Sequence, residues 1–153
     1  MALIYNRLQE LEDEHYDLLL EADPSKELVS HYFKRSLTFE VLKDGVLVGI
    51  VVLIETRPET LEIVNISVSS DYQNQGIGQE ILQFAINYGK ENQFIVLEIG
   101  TGSTSFSQLY LYQKMGFRIT GIDKDFFVHH YDEEIIENGL ILKDMVRLQL
   151  LLN

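Results

Sequence analysis

Two β-rich runs, Leu37 to Lys43 and Val46 to Arg57, are separated only by Asp44-Gly45, which reads as a two-residue hairpin turn. Pro58 ends the second run, and Leu61 to Ser69 follows as the third strand of a meander. A sheet of this kind needs a covering layer, and the next segment has the right pattern for one. From Gly76 to Gln93, residues Ile77, Ile81, Phe84, Ala85 and Tyr88 recur at helical spacing. Phe94 to Ile99 then reads as a buried strand, Ser105 to Met115 as a helix and Phe117 to Thr120 as another strand. Ahead of the meander, residues 2–8 read as a short strand and 9–21 as an acidic helix that stops before Asp23-Pro24. Ser25 caps a second helix over about 26–35. After it come two β segments, about 126–131 and 141–151, around a polar stretch that ends in Asn138-Gly139. This order predicts one α/β (α+β) domain over residues 1–153, with a mixed, mostly antiparallel central sheet and helices on both faces.

Composition narrows the chemistry. The 153 residues suffice for one compact core, and 46% apolar content with mean hydropathy near zero fits a soluble globular chain. The longest apolar runs, Val46 to Ile54 and Leu148 to Leu152, are too short to span a bilayer. The N-terminal stretch lacks the basic and apolar regions of a signal peptide, so a cytoplasmic location is expected. The absence of cysteine excludes disulfides, thiolate catalysis and Cys-ligated zinc. Twelve Lys and Arg against 24 Asp and Glu leave a net charge of −12. Such a surface repels phosphate backbones, which argues against nucleic acid, and attracts cations. The four histidines come without a ligand cluster, so no metal is expected. His15 and His31 fall on predicted helices as surface residues, and at most one of His129 and His130 points into a cleft from a late strand.

The most informative stretch runs from Ile66 to Glu80: a strand ends at Val68, a polar loop follows, and Gly76 and Gly78 open a helix. Unpaired amides at a helix start, at the positive end of its dipole, suit a pyrophosphate, and glycines let the backbone approach it. Gln73-Asn-Gln-Gly76-Ile-Gly78 resembles the Gln/Arg-x-x-Gly-x-Gly/Ala motif of the GNAT superfamily of acyl-CoA-dependent N-acyltransferases. A second stretch, Leu109-Tyr-Leu-Tyr112-Gln-Lys-Met-Gly116-Phe117, resembles the family's A-x-x-L-Y-x-K-x-G-F helix end. The resemblance implies a GNAT-like domain that uses acetyl-CoA as co-substrate. It implies that Ile66, Ser67 and Val68 contact the pantetheine arm through main-chain groups. It also implies that the loop and helix start from Gln73, Asn74, Gln75, Gly76, Ile77 and Gly78 to Gln79 hold the phosphates. The family's usual Asn before the second helix is missing. Ser103 or Ser105 stands in its place, and Gln108 replaces a small residue.

Acetyl transfer needs a neutral amine, an electrophilic thioester and a proton for the departing thiolate. Tyr112 matches the family's frequent general acid. Glu62 is the first candidate base: it precedes Val68 by six residues and, on a regular strand, shares a face with Val64, Ile66 and Val68. Glu98 and water are the alternatives. The expected acceptor is a primary amine, cationic in its resting state, and the chain is compatible with a homodimer. Two other readings compete. Ile95 to Thr104 looks in isolation like the first motif of an S-adenosylmethionine-dependent methyltransferase, but too little chain follows it and its third glycine is Thr104. An acyl-CoA-binding domain without catalysis keeps the cofactor loop and loses the chemistry.

Overall fold

In the computed structural model, which describes residues 2–153, strand β1 (Leu3–Arg7) leads into helices α1 (Asp13–Ala22) and α2 (Lys26–Phe33). Met1, the first residue of the expected domain, lies outside the described residues. The meander is β2 (Leu37–Lys43), β3 (Val46–Arg57) and β4 (Thr60–Val68). Its first turn holds Asp44 at φ 51° and Gly45 at φ 78°, the doubly left-handed geometry that an Asp-Gly pair adopts readily. A short 3-10 turn, Ser70–Tyr72, then leads to α3 (Ile77–Glu91), β5 (Val96–Gly102) and α4 (Phe106–Lys114). Strand β6 (Arg118–Asp123), helix α5 (Phe126–His129), the small hairpin β7 (Ile136–Glu137) and β8 (Leu140–Ile141), and β9 (Met145–Leu151) complete the chain.

Seven strands form one sheet in the order β1-β2-β3-β4-β5-β9-β6. Only β4 and β5 run parallel, so the sheet is mixed and mostly antiparallel, as expected. Helices α3 and α4 cover one face, over Val51, Leu53, Leu61, Ile63, Leu97, Ile99 and Leu148. Helices α1 and α2 cover the other, where Leu18, Leu19 and Val29 meet Ile50 and Val52. Each of these fully buried aliphatic side chains contributes about 1.5–3 kcal/mol of transfer free energy.

The structure corrects the sequence reading at several points. In place of the expected strand over 126–131, Phe126–His129 form a helical turn, and His130 and Tyr131 follow it outside any strand. Phe126 packs on His130 at 4.5 Å and Phe127 on Tyr131 at 5.6 Å, pairs four residues apart that a helical turn brings together. The expected strand 141–151 is broken after Ile141, and its main part, β9, inserts between β5 and β6. The first helix starts at Asp13 because Glu12 and His15 close a reciprocal cap. That cap buries His15, which is 4% exposed rather than on the surface. Its Nδ1 accepts the Glu12 amide at 3.0 Å, so the proton sits on Nε2 and is donated to Glu40 at 2.9 Å.

Candidate active site

The site begins where two strands part. β4 and β5 are paired from Thr60↔Val96 to Ile63↔Ile99 and no further. Beyond that, β4 stays with β3 up to Val68, and β5 stays with β9 up to Gly102. A β-bulge drives the divergence: Val52 faces Asn65 while Leu53 faces Ile63, so Val64 is the extra residue on β4. Between the splayed strands lies a cleft of about 420 Å³, with Ile66, Gly100, Ser105, Gln108 and Tyr112 on its walls. From Val64 onward, the β4 edge toward β5 has no strand partner, so main-chain groups around Ile66 and Val68 face an open gap.

The bulge also corrects the reading of Glu62. Cross-strand partners share a face, and Ile54↔Glu62, Val52↔Asn65 and Ile50↔Ser67 lie on the α1/α2 side. Ile66 and Val68 pack on the opposite side. Glu62 therefore shares a face with Asn65 and Ser67, not with Ile66 and Val68. A regular alternation over 62–68 hides this, because one inserted residue reverses every later position.

Below the cleft, the loop into α3 turns through Asn74 at φ 62° and Gly76 at φ 82°. No side chain caps α3, and its first backbone bond runs from Glu80 N to Gly76 O at 3.1 Å. The amides of Ile77, Gly78 and Gln79 are thus left at the helix start, the arrangement that seats an anion. Ile77 is buried in the core, so only its amide is offered, whereas Gln79 is exposed. Gln73 braces the loop by donating from Nε2 to the Val68 carbonyl at 3.1 Å. Gln75 accepts from Lys43 Nζ at 3.5 Å, which brings a cation to the loop that no sequence motif announces.

Tyr112 is 5% exposed, lines the cleft and has no hydrogen-bond partner for its hydroxyl among the described residues. Burial pushes its phenol well above the ordinary value, which keeps it protonated as a donor. The Gly116-Phe117 end of the motif fixes the ring: Phe117 N donates to the Tyr112 carbonyl at 3.0 Å, and the two rings pack at 6.2 Å. Of the two candidate serines, Ser105 lines the cleft, and its Oγ donates to Glu137 at 2.5 Å. Ser103 is not on the cleft wall; its amide donates to the Asp144 carbonyl.

The two candidate carboxylates lie opposite each other in the paired part of β4 and β5. Glu98 is held by Arg57 at 2.6 Å and by Gln149. Glu62 is less well served. Arg147 reaches it at 3.4 Å but commits its closer contacts, 2.6 and 2.8 Å, to Asp123. Desolvation raises the Glu62 pKa, Arg147 opposes the rise and the Glu98 charge adds to it. Neither carboxylate is on the cleft wall itself.

The far end of the cleft holds groups that sequence reasoning missed. Asp23, read only as a helix stop, accepts from Tyr131 OH at 2.9 Å and from Ser25 N at 3.1 Å. Asn65 donates from Nδ2 to the Leu19 carbonyl at 3.1 Å and to Tyr32 OH at 2.9 Å, tying α1 and α2 to the bulge. Partners 108 residues apart, as Asp23 and Tyr131 are, leave no local signal. His129 and His130 are exposed and off the cleft wall. No group of His, Cys, Asp or Glu among the described residues has metal-binding geometry.

A sheet opened between parallel neighbours, next to an uncapped glycine-led helix start, fits the acetyl-CoA-using domain that the two sequence motifs imply. The comparisons agree. A family model described as acetyltransferase (GNAT) family matches residues 4–117. The uncharacterized N-acetyltransferase YvbK of Bacillus subtilis (strain 168) is 50% identical, over 93% of this chain and 92% of its own length. A Bacillus subtilis acetyltransferase solved in complex with CoA has a TM-score of 0.95 at 48% identity, covering 99% of this chain and 100% of that one. An Elizabethkingia anophelis GNAT family acetyltransferase with acetyl-CoA bound has a TM-score of 0.93 at 42% identity, with 97% of both chains covered. The chain belongs to the acetyltransferase (GNAT) family, whose acyl donor is acetyl-CoA.

Proposed function

We propose that this chain, acting as one domain over residues 1–153, transfers the acetyl group of acetyl-CoA to a primary amine by direct attack in a ternary complex. The observation that carries this reading is the partnerless Tyr112 hydroxyl inside the cleft where β4 and β5 separate. The open edge at Ile66, Ser67 and Val68 accepts the pantetheine arm through main-chain groups. The loop Gln73-Asn74-Gln75-Gly76 and the helix start Ile77-Gly78-Gln79 hold the phosphates. Ser105, rather than Ser103, supports the reading of a polar contact to the arm from the start of α4.

The neutral amine nitrogen attacks the thioester carbonyl, a C–N bond forms and the C–S bond breaks. Tyr112 gives its proton to the departing thiolate, so free CoA leaves as the thiol. The surplus proton on nitrogen passes to Glu62, through water because Glu62 lies off the cleft wall, and its release to solvent is matched by the proton that Tyr112 takes back. The net charge of −12 favours an acceptor whose amine is cationic in solution and gives up one proton before it attacks. A cytoplasmic setting fits the cysteine-free composition. A homodimer would form at the open β6 edge, where Ile119 and Ile122 are about half exposed.

An amine library scored for free thiol release from acetyl-CoA tests the reaction. Turnover with primary amines that is lost in Tyr112→Phe is the expected result. Acetyl-CoA binding with no turnover of any amine would replace the enzyme by a cofactor-binding domain. Tighter binding of S-adenosylmethionine than of acetyl-CoA would overturn both.

A further inference from the structure

The acceptor half of the cleft holds negative charge without a counter-ion. The cleft shares Pro24, Tyr131, Ile135 and Ile136 with an outer hollow of about 780 Å³. Glu21, Asp23 and Glu137 lie on the inner wall and Glu27, Asp132, Glu133 and Glu134 on the outer one, where His130 is the one basic side chain among the described residues, and neither wall includes a lysine or arginine. Asp23 sits at the junction. Its donors among the described residues are neutral, the Tyr131 and Tyr32 hydroxyls and the Ser25 amide, and burial raises its pKa with no cation to oppose the rise. Tyr131, Glu133 and Glu134 follow the residues matched by the family model, while Asp23, Glu27 and Asn65 fall within them, so this end of the cleft joins matched and unmatched parts of the chain.

A second observation at the same wall also calls for a donor. Asn65 is 4% exposed and lines the cleft, and its Oδ1 is buried with no hydrogen-bond partner among the described residues. The amide cannot gain by flipping. Its Nδ2 already serves the Leu19 carbonyl, which can only accept, and a flip would set two acceptors against each other. Buried acceptors left unmatched are costly and rare in folded proteins. A half-buried carboxylate lacking a cation and a buried amide oxygen lacking a donor are together matched by a group rich in N–H bonds and positive charge.

That group is not the reacting nitrogen, which must be neutral to attack. We propose that the acceptor is a small molecule with at least two amines, and that Asp23 and Asn65 hold its non-reacting ammonium while the other amine is acetylated. The inference rests on the amine-transfer reading above. The outer carboxylates draw the cation in, and the inner pair fixes which end faces Tyr112.

The test sets a series of α,ω-diaminoalkanes against n-alkylamines of equal length, with thiol release from acetyl-CoA as the readout. Hydrogen bonds to charged groups of this kind are expected to raise kcat/KM for the best diamine about tenfold or more over its matched monoamine. In Asp23→Asn that ratio should fall close to one, with acetyl-CoA affinity by calorimetry unchanged. Equal kcat/KM for diamines and monoamines in the wild type overturns the subsite and leaves amine acetylation standing. So does a ratio that survives Asp23→Asn. If no amine is turned over, the amine-transfer reading fails, and calorimetric binding of the diamines still decides the subsite. Binding no tighter than that of the monoamines would overturn it. Should Asp23→Asn fail to fold, the wild-type ratio decides.

Discussion

Tyr112 and Glu62 are both pushed toward their protonated forms by burial, and this suits them to opposite tasks. A phenol kept neutral remains a donor for a thiolate, while a carboxylate with a raised pKa becomes a stronger base. Because the Tyr112 hydroxyl bonds no protein group, Tyr112→Phe should leave the thermal midpoint unchanged or slightly higher. Its kcat should fall about 100-fold or more if the proton is given in the transition state. Steady-state kinetics and a melt on the same sample separate this from a packing role, which would move the midpoint and spare turnover. Glu62→Gln should lower kcat most near neutral pH and least at high pH, where the amine is already deprotonated. The same variant has a stability signature. A carboxyl whose pKa is raised on folding binds more protons in the native state, so its charged form lowers stability as pH rises above its usual 4.5. Glu62→Gln should remove that slope, read as midpoint against pH. A slope identical to wild type would mean that the Arg147 contact cancels the desolvation.

At the scale of elements, the start of α3 separates a backbone requirement from a cofactor requirement. Gly76 is at φ 82°, where any side chain is strained by about 1–2 kcal/mol, although the space around it is empty. Gly78 has an ordinary backbone, and a Cβ there would touch nothing closer than 3.9 Å. Gly76→Ala should therefore lose both stability and acetyl-CoA affinity. Gly78→Ala, which the motif itself allows, should keep both its melting temperature and its affinity, whereas the branched side chain of Gly78→Val should lose affinity because it intrudes where the phosphates approach. Equal affinity for Gly78→Val and wild type, by calorimetry, would remove this loop from cofactor binding. The local signals behind these elements were legible in the sequence: the Asp44-Gly45 turn, the Ser25 cap whose Oγ accepts Leu28 N at 3.2 Å, and the apolar period of α3. Illegible features depended on distant partners. The Val64 bulge lies where β4 leaves β5 and stays with β3, and it puts Glu62 on the opposite face from Ile66 and Val68. Phe126 to Tyr131 has a β-rich composition, yet Phe127 N is bonded to the Lys143 carbonyl and Asp125 N to the Asp144 side chain, which hold it as a turn. The acceptor end, assembled from α1, α2, β4 and the segment after α5, had no motif to find.

Over the whole molecule, charge and burial act on stability in the same direction. The net charge of −12 at neutral pH makes the compact state repel itself, and the isoelectric point of about 4.6 puts relief on the acid side. Asp23 and Glu62 add to this, since both carry raised pKa values and so favour the native state most when protonated. Native binding of extra protons makes stability fall as pH rises, beginning above the usual 3.8 for Asp23 and 4.5 for Glu62. The thermal midpoint should therefore rise as pH is lowered from neutrality toward about 5.5, before the bulk of the carboxylates titrate. Salt should mimic the effect at neutral pH. Raising ionic strength from about 0.01 M to about 0.1 M shortens the screening length from about 30 Å to about 10 Å, which weakens repulsion across the domain. For a domain of this size each kcal/mol gained moves the midpoint by about 2–4 °C. The two treatments are not additive, because a molecule closer to its isoelectric point has less repulsion left to screen. Scanning calorimetry over a grid of pH and sodium chloride should show the salt increment shrinking as pH falls. An increment that stays constant across the grid would assign the pH dependence to the buried carboxyls alone, and Glu62→Gln together with Asp23→Asn should then flatten it.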